Sequence, residues 1–270
     1  MTVLVRTLPR LAFAQLPTPL EEASRLSEAL GGPRIFLKRD DLTGAALGGN
    51  KVRKLEFVIG RAVAEDVAED LRRQGMRPFV VPLGGSGPEG MAGYINATDE
   101  LLGQLEALQV RPSRLYVAVG SGGTFSGLVL GALDREAPYR VVGISVSRTR
   151  DYLLNQLPAA ASAAAEFLGL ACRPGAKDFH VDDAYVGAGY GSMTEGCRDA
   201  ISLVARTEGV LLDPVYSGKA MHGLIDHIKA GEIGVGETVI FLHTGGSPAL
   251  FAYDAAALGV EPAAEIVQTR

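Results

Sequence analysis

Tryptophan is missing from this sequence, and cysteine occurs only twice in 270 residues. Two thiols, Cys172 and Cys197, without a Cys-x-x-Cys spacing exclude a disulfide framework and are expected to be buried. Histidine is scarce as well. His222 and His227 are five apart and do not share a helix face, and neither His180 nor His243 has a partner at ligand spacing, so no metal is expected. Charge of one sign is nowhere concentrated: 26 basic and 31 acidic residues are interleaved, and a net charge of −5 leaves no basic stripe to follow a phosphodiester backbone. No apolar run is long enough for a bilayer, and the opening MTVLVRTLPRLAFAQLPTPL is broken by Arg6, Pro9 and Arg10 before it can act as a signal peptide. The chain is therefore expected in the cytoplasm, with neither nucleic acid nor membrane as partner.

What is present is ordinary globular material, 47% hydrophobic and 21% charged, enough for one large domain or two modest ones. Short β-rich runs at 34–37, 79–82, 115–119, 141–146 and 238–242 alternate with helical patterns at 101–108, 125–133, 151–168, 193–207 and 218–229. That alternation predicts an α/β chain, and strands apolar on both faces predict an open parallel sheet flanked by helices. From residue 51 to 74 the apolar positions keep a helical rhythm almost without a break, weakened locally by Gly60. No internal repeat is present.

Three stretches carry chemistry. In GGNKVRKLEF, Lys51 follows Gly48, Gly49 and Asn50 at the start of the long helical pattern. The positive end of a helix dipole and partial burial both favour the neutral amine that carbonyl addition needs. The plainer reading is a turn and cap, with Lys51, Arg53 and Lys54 on a solvated basic face. The second stretch, Gly120, Ser121, Gly122, Gly123 and Thr124, joins a strong strand to a helical pattern, where free N–H groups and the helix field suit one phosphate. It is neither the Walker pattern nor the dinucleotide fingerprint, and a tight strand-to-helix turn is the alternative. Third, DPVYSGKAM sets Tyr216 and Ser217 at the mouth of a helix, while Thr244 and Gly245 follow the last strand. In an open parallel sheet all of these lie at the carboxyl ends of strands, where ligands bind. A nucleophilic amine beside a single-phosphate cradle suggests pyridoxal phosphate.

These residues, with LPTPLEEASRLSEAL, IFLKRDDLTGAALGGNKVRKLEF, RPFVVPLGGSGPEGMAGYINATDEL, VGSGGTFSG, DDAYVGAGYG and FLHTGGSPALFAY, resemble the D-cysteine desulfhydrase and 1-aminocyclopropane-1-carboxylate deaminase family, in order and over most of the chain. That family, which includes L-cysteate sulfo-lyases, belongs to the fold type II, tryptophan-synthase-β-like pyridoxal phosphate enzymes. The resemblance implies that Lys51 is the Schiff-base lysine, that residues 120–124 hold the cofactor phosphate, and that Tyr190 and Tyr216 stand near the reacting substrate. It also places Asn50, Thr244 and Gly245 at the cofactor, and Ser217 where the family sets the partner of the pyridine nitrogen. A hydroxyl there, in place of a glutamate, implies elimination of a β leaving group rather than opening of a cyclopropane. The implied activity is a carbon–sulfur lyase or deaminase acting on a small sulfur-containing amino acid; a homodimer is expected, a second copy covering apolar surface that a shortened smaller domain leaves exposed.

One segment of the pattern is missing. Relatives carry a Thr-Gly-Gly-x-x-Ser-Asn-His segment after the lysine helix, and none of the three asparagines here, Asn50, Asn96 and Asn155, precedes a histidine. Several dozen residues are expected to be absent between about Val63 and Val67. Residues 1–50 and 100–270 then form the large α/β domain, and 51–99 the remnant of a truncated smaller one. Two other readings follow: a shortened relative that binds a phosphate ligand or a protein partner without turnover, and an ordinary nucleotide-binding protein, which the missing fingerprint acids disfavour.

Overall fold

In the computed structural model of the chain, residues 7–70 and 83–254 are described, the side chains of 63–70 and 83 aside. Among them, six strands form one sheet: β1 Leu20–Glu22, β2 Arg34–Arg39, β3 Arg114–Val119, β4 Arg140–Ser145, β5 His180–Asp182 and β6 Thr238–His243. Their order is β1-β2-β6-β3-β4-β5, with β1 antiparallel to β2 and every other pairing parallel. Four of the five expected strands are present within a residue or two of their predicted bounds; the fifth, 79–82, lies outside the described residues.

Seven helices of the described residues cover the sheet: α1 Ser24–Leu30, α2 Asn50–Asp70, α3 Pro88–Leu108, α4 Gly123–Asp134, α5 Arg150–Phe167, α6 Glu195–Glu208 and α7 Ser217–Lys229. Alternation along β3 shows why both faces must be covered. Leu115, Val117 and Val119 enter one apolar cluster with α3, α4 and α5, while Tyr116 and Ala118 enter the other with α1, α6 and α7. The fold class is therefore the expected α/β arrangement of a mainly parallel sheet between helical layers.

Helix α3 begins well before the predicted 101–108. Pro88 occupies its first turn, and Gly90 and Gly93 sit where a Cβ would meet the carbonyl oxygens of Gly85 at 1.8 Å and Arg53 at 2.4 Å. Those glycines dilute the helical pattern in the sequence but let α3 press against α2 and the preceding turn. The helix runs unbroken past residue 99, and its Met91, Tyr94 and Ile95 join the same cluster as Val117 and Phe125. The backbone of α2 continues through residues 63–67, where the missing segment predicts a splice of two helices. Of the cysteines, Cys197 is buried, but Cys172 is half-buried, since its segment follows α5 at the edge of the core.

Helix α2 is fixed by buried charge. Arg53 donates to Asp40, Glu100 and Thr18, Lys38 donates to Glu100 and to the Thr18 carbonyl, and Tyr94 donates to Asp40. Glu56, one turn on, accepts from the backbone of Phe13 and Ala14 and from Arg10. Arg53 is thus not on a solvated face, as a turn-and-cap reading of GGNKVRK implies: its two carboxylate partners arrive from other segments and offset the cost of its burial.

Candidate active site

The first turn of α2 lies at the carboxyl end of β2, reached through a tight glycine crossing. Gly48 and Gly49 have φ of +70° and +112°, and a Cβ on Gly245 would stand 2.7 Å from the Gly49 Cα. This contact lets the Asn50 amide donate to the Thr244 carbonyl at 3.0 Å, bringing the ends of β2 and β6 together. His243, buried, steadies the turn: its Nδ1 accepts from the Gly245 amide and its Nε2 donates to the Leu211 carbonyl, while desolvation lowers its pKa.

At the carboxyl end of β3, Gly122 has a φ of +87° and no room for a side chain, because the Leu157 methyl would lie 2.2 Å from a Cβ. Helix α4 starts at the next residue. The Asn50 side-chain amide donates to the Thr124 hydroxyl at 2.9 Å, tying the lysine turn to the glycine loop, and among the described residues its buried oxygen, Oδ1, has no partner.

Between these turns opens a cavity of about 690 Å³, lined by nine of the residues expected from the sequence: Asn50, Lys51, Gly120, Ser121, Gly122, Thr124, Tyr190, Tyr216 and Thr244. Three others do not line it. Gly123 and Gly245 are used in close packing, against Ser86 and Gly49. Ser217 is buried and donates its hydroxyl to Asp213 at 2.6 Å, while the Asp213 amide donates to the serine oxygen at 2.8 Å. Asp213 also accepts from the backbone of Val215, Tyr216 and Ser217, so its carboxylate serves the start of α7.

Lys51 is accessible on the cavity wall, its Nζ 5.0 Å from the centre of the Tyr216 ring. Desolvation lowers its pKa, against an opposing attraction from Asp213. The Tyr216 hydroxyl meets that of Tyr190 at 2.5 Å, and burial, then the Tyr190 hydrogen bond, raises the Tyr216 pKa.

Two further basic side chains line the cavity, neither among the site residues expected from the sequence. Lys54, one turn beyond Lys51, is buried and donates to the Gly84 carbonyl; desolvation, then the charge of Lys51, lowers its pKa to about 7. The turn-and-cap reading puts it on a solvated face, and its i, i+3 spacing from Lys51 is the one signal against that. Arg148 follows β4, its turn held by Ser145, which accepts from the Arg148 amide and donates to its carbonyl. Among the described residues no carboxylate lines the cavity. Lys51, Lys54 and Arg148, a glycine turn at the start of a helix and an unpartnered amide oxygen fit a phosphate-bearing cofactor, whose aldehyde Lys51 would meet.

A buried amine with so low a pKa makes anion binding proton-linked. Above about pH 7 Lys54 is neutral, and an anion beside it restores the proton. Calorimetry with inorganic phosphate at pH 8, in two buffers of different ionisation enthalpy, is expected to show uptake approaching about one proton, absent in Lys54→Met. The same depression leaves the unfolded chain with more bound protons above pH 7, so stability rises with pH from there toward the ordinary lysine range.

Comparison with known proteins agrees with this chemistry. The family model described as pyridoxal-phosphate dependent enzyme matches residues 61–245. The D-cysteine desulfhydrase of Salmonella typhimurium is 33% identical, covering 91% of this chain and 96% of its own. A crystal structure described as an ACC deaminase homologue superposes with a TM-score of 0.81 at 30% identity, covering 95% of this chain and 97% of that one. A fungal L-serine ammonia-lyase from Rhizomucor miehei, 17% identical with a TM-score of 0.57 over 90% of this chain and 96% of that one, shares the fold. Alignment with the desulfhydrase takes 320 positions, more than the 270 residues present, so the relative carries residues this chain lacks. The family model matches more than half of the sequence, taking in strands β3 to β6 and the 120–124 loop: the chain belongs to the pyridoxal-phosphate dependent enzyme family.

Proposed function

We propose that this chain eliminates a β-sulfur group from a small amino acid, of the D-cysteine or cysteate kind, giving a keto acid and ammonia. The observation that carries the reading is the shared cavity: Lys51, the 120–124 loop, Asn50 and the Tyr190–Tyr216 pair face one space. Pyridoxal phosphate, when bound, supplies an aldehyde for amines and a ring that accepts electron density from Cα. Gly120, Ser121, Gly122 and Thr124, with Lys54, would hold its phosphate, and Asn50 its ring edge. Lys51 as a neutral amine takes the proton from Cα, and desolvation shifts its pKa in the direction that favours that form. The paired hydroxyls of Tyr190 and Tyr216 hand a proton to the departing sulfur. With no carboxylate among the described lining residues, nothing there holds a pyridine nitrogen protonated, which suits loss of a good leaving group better than ring opening.

The absent segment removes the clamp that the resemblance assigns to the substrate carboxylate. Arg148 is the lining cation left for it, its guanidinium stacked on Tyr152 at 5.0 Å with no acid partner among the described residues. With coenzyme added, D-cysteine is expected to give equal amounts of sulfide and keto acid, and Arg148→Met to raise KM by roughly 10- to 100-fold, the value of a charge-assisted hydrogen bond. Sulfite from L-cysteate would shift the assignment to the sulfonate; 2-ketobutyrate from 1-aminocyclopropane-1-carboxylate alone would overturn it.

A further inference from the structure

Helix α7 carries a lysine that this chemistry does not use. Lys219 is fully buried, with no carboxylate partner among the described residues, and its Nζ donates to the carbonyl oxygens of Val186 at 2.6 Å and Gly189 at 3.0 Å. Desolvation lowers its pKa, so the site bears a cost that an apolar side chain of the same length would avoid. What offsets the cost is the pair of carbonyls, and both belong to one loop.

The loop's other backbone hydrogen bonds among the described residues lie near its ends: the Val186 amide donates to the Asp183 carbonyl, the Ser192 amide to the Gly189 carbonyl and the Tyr253 hydroxyl to the Gly191 carbonyl. Gly187, Gly189 and Gly191 have φ of +66°, +141° and +77°, and a Cβ on Gly189 or Gly191 would meet nothing within 4 Å. Each glycine adds backbone freedom that must be lost when the loop orders. Tyr190 stands between the last two, 62% exposed, its ring 5.8 Å from that of Tyr216 and its hydroxyl bonded to the Tyr216 hydroxyl. Tyr216 caps α7, three residues before Lys219. The start of one helix therefore grips the loop twice, by an ammonium at its root and a phenol at its tip.

We propose that Lys219 is a positioning residue, which holds the 186–190 loop so that Tyr190 reaches across the cavity to Tyr216. The inference rests on the lyase reading for its kinetic consequence, and on the hydrogen bonds alone for its effect on the loop. Lys219→Met and Tyr190→Phe are each expected to lower kcat on D-cysteine by roughly 100-fold, the lower range for an assisted proton transfer, with coenzyme affinity changed by less than about twofold. The double variant is expected to be no slower than either single one, because both remove the same contact. Lys219→Gln, which keeps a donor, is expected to recover part of the loss.

Hydrogen exchange read without substrate makes the second arm. In Lys219→Met, the amides of Val186 and Ser192, bonded to the Asp183 and Gly189 carbonyls, are expected to exchange at least about tenfold faster while those of α7 are unchanged. Multiplicative losses in the double variant, or unchanged exchange in the loop, would overturn the proposal. If the parent enzyme shows no lyase activity the functional reading fails, and the exchange arm still decides the role of Lys219. If Lys219→Met does not fold, Lys219→Gln is carried through both arms instead.

Discussion

Lys51→Ala is expected to abolish keto acid production, by on the order of 10⁴-fold or more, and to leave no coenzyme mass on the peptide containing residue 51 after borohydride reduction. Both losses follow from position. Lys51 and Lys54 share one face of α2 and both line the cavity, but Lys54 is buried and engaged by the Gly84 carbonyl, whereas Lys51 is accessible beside the Tyr216 ring. A neutral amine is needed to attack an aldehyde, and desolvation shifts Lys51 toward that form. Lys54→Met is the control, expected to keep the covalent attachment while binding the coenzyme more weakly. Reduction that places the coenzyme on another lysine would remove the foundation of the proposed chemistry.

Arg53→Met is expected to destabilise the fold by about 3–5 kcal/mol, read from the denaturant midpoint, because it leaves the buried Asp40 without its cation and Glu100 with Lys38 alone. Arg53 and Asp40 are 1% and 0% exposed in their side chains, and their N–O distance is 2.9 Å. Burial alone would raise the pKa of Glu100; the hydrogen bonds and charge of Arg53, with Lys38, reverse this and hold it at about 2. A carboxylate depressed in the folded state stabilises above its unfolded pKa and loses that contribution as the pH falls toward 2. The parent protein is therefore expected to lose stability between about pH 4.5 and 2, and Arg53→Met to lose less over that interval, having given up the charge pair already. Since Arg53 lies between Lys51 and Lys54 on one turn, the variant is also expected to bind coenzyme less tightly. Unaltered stability would mean that α2 is anchored by its apolar face alone.

The parallel strands and the principal helices were legible because burial between two layers leaves a pattern that no neighbour in space can mask. Strands β1 and β5, three residues each, and helix α1, seven residues, were not: elements that short have too little periodicity, and their pairing with β2, β4 and the underside of the sheet decides them. Glycine placement marked the amine and the anion cradle as candidates beside plainer turn readings, and the family resemblance chose between them. Lys54, Arg148 and Lys219 were not legible, since a lysine or arginine in a sequence carries no mark of whether its partner will be water, a carbonyl or a ligand.

By itself the sequence determined the layered α/β architecture, because hydrophobic period is a local property of the chain; glycine spacing together with the family resemblance pointed to the cofactor chemistry and to the lysine proposed to perform it. Only the tertiary structure decided which charges are buried and what they hold: Arg53 between α2 and α3, Lys54 at the cavity wall, Lys219 beneath the tyrosine loop, Ser217 turned to Asp213. The reason is that the cost of burying a charge is set by groups brought from distant positions, and those distances exist only once the chain has folded.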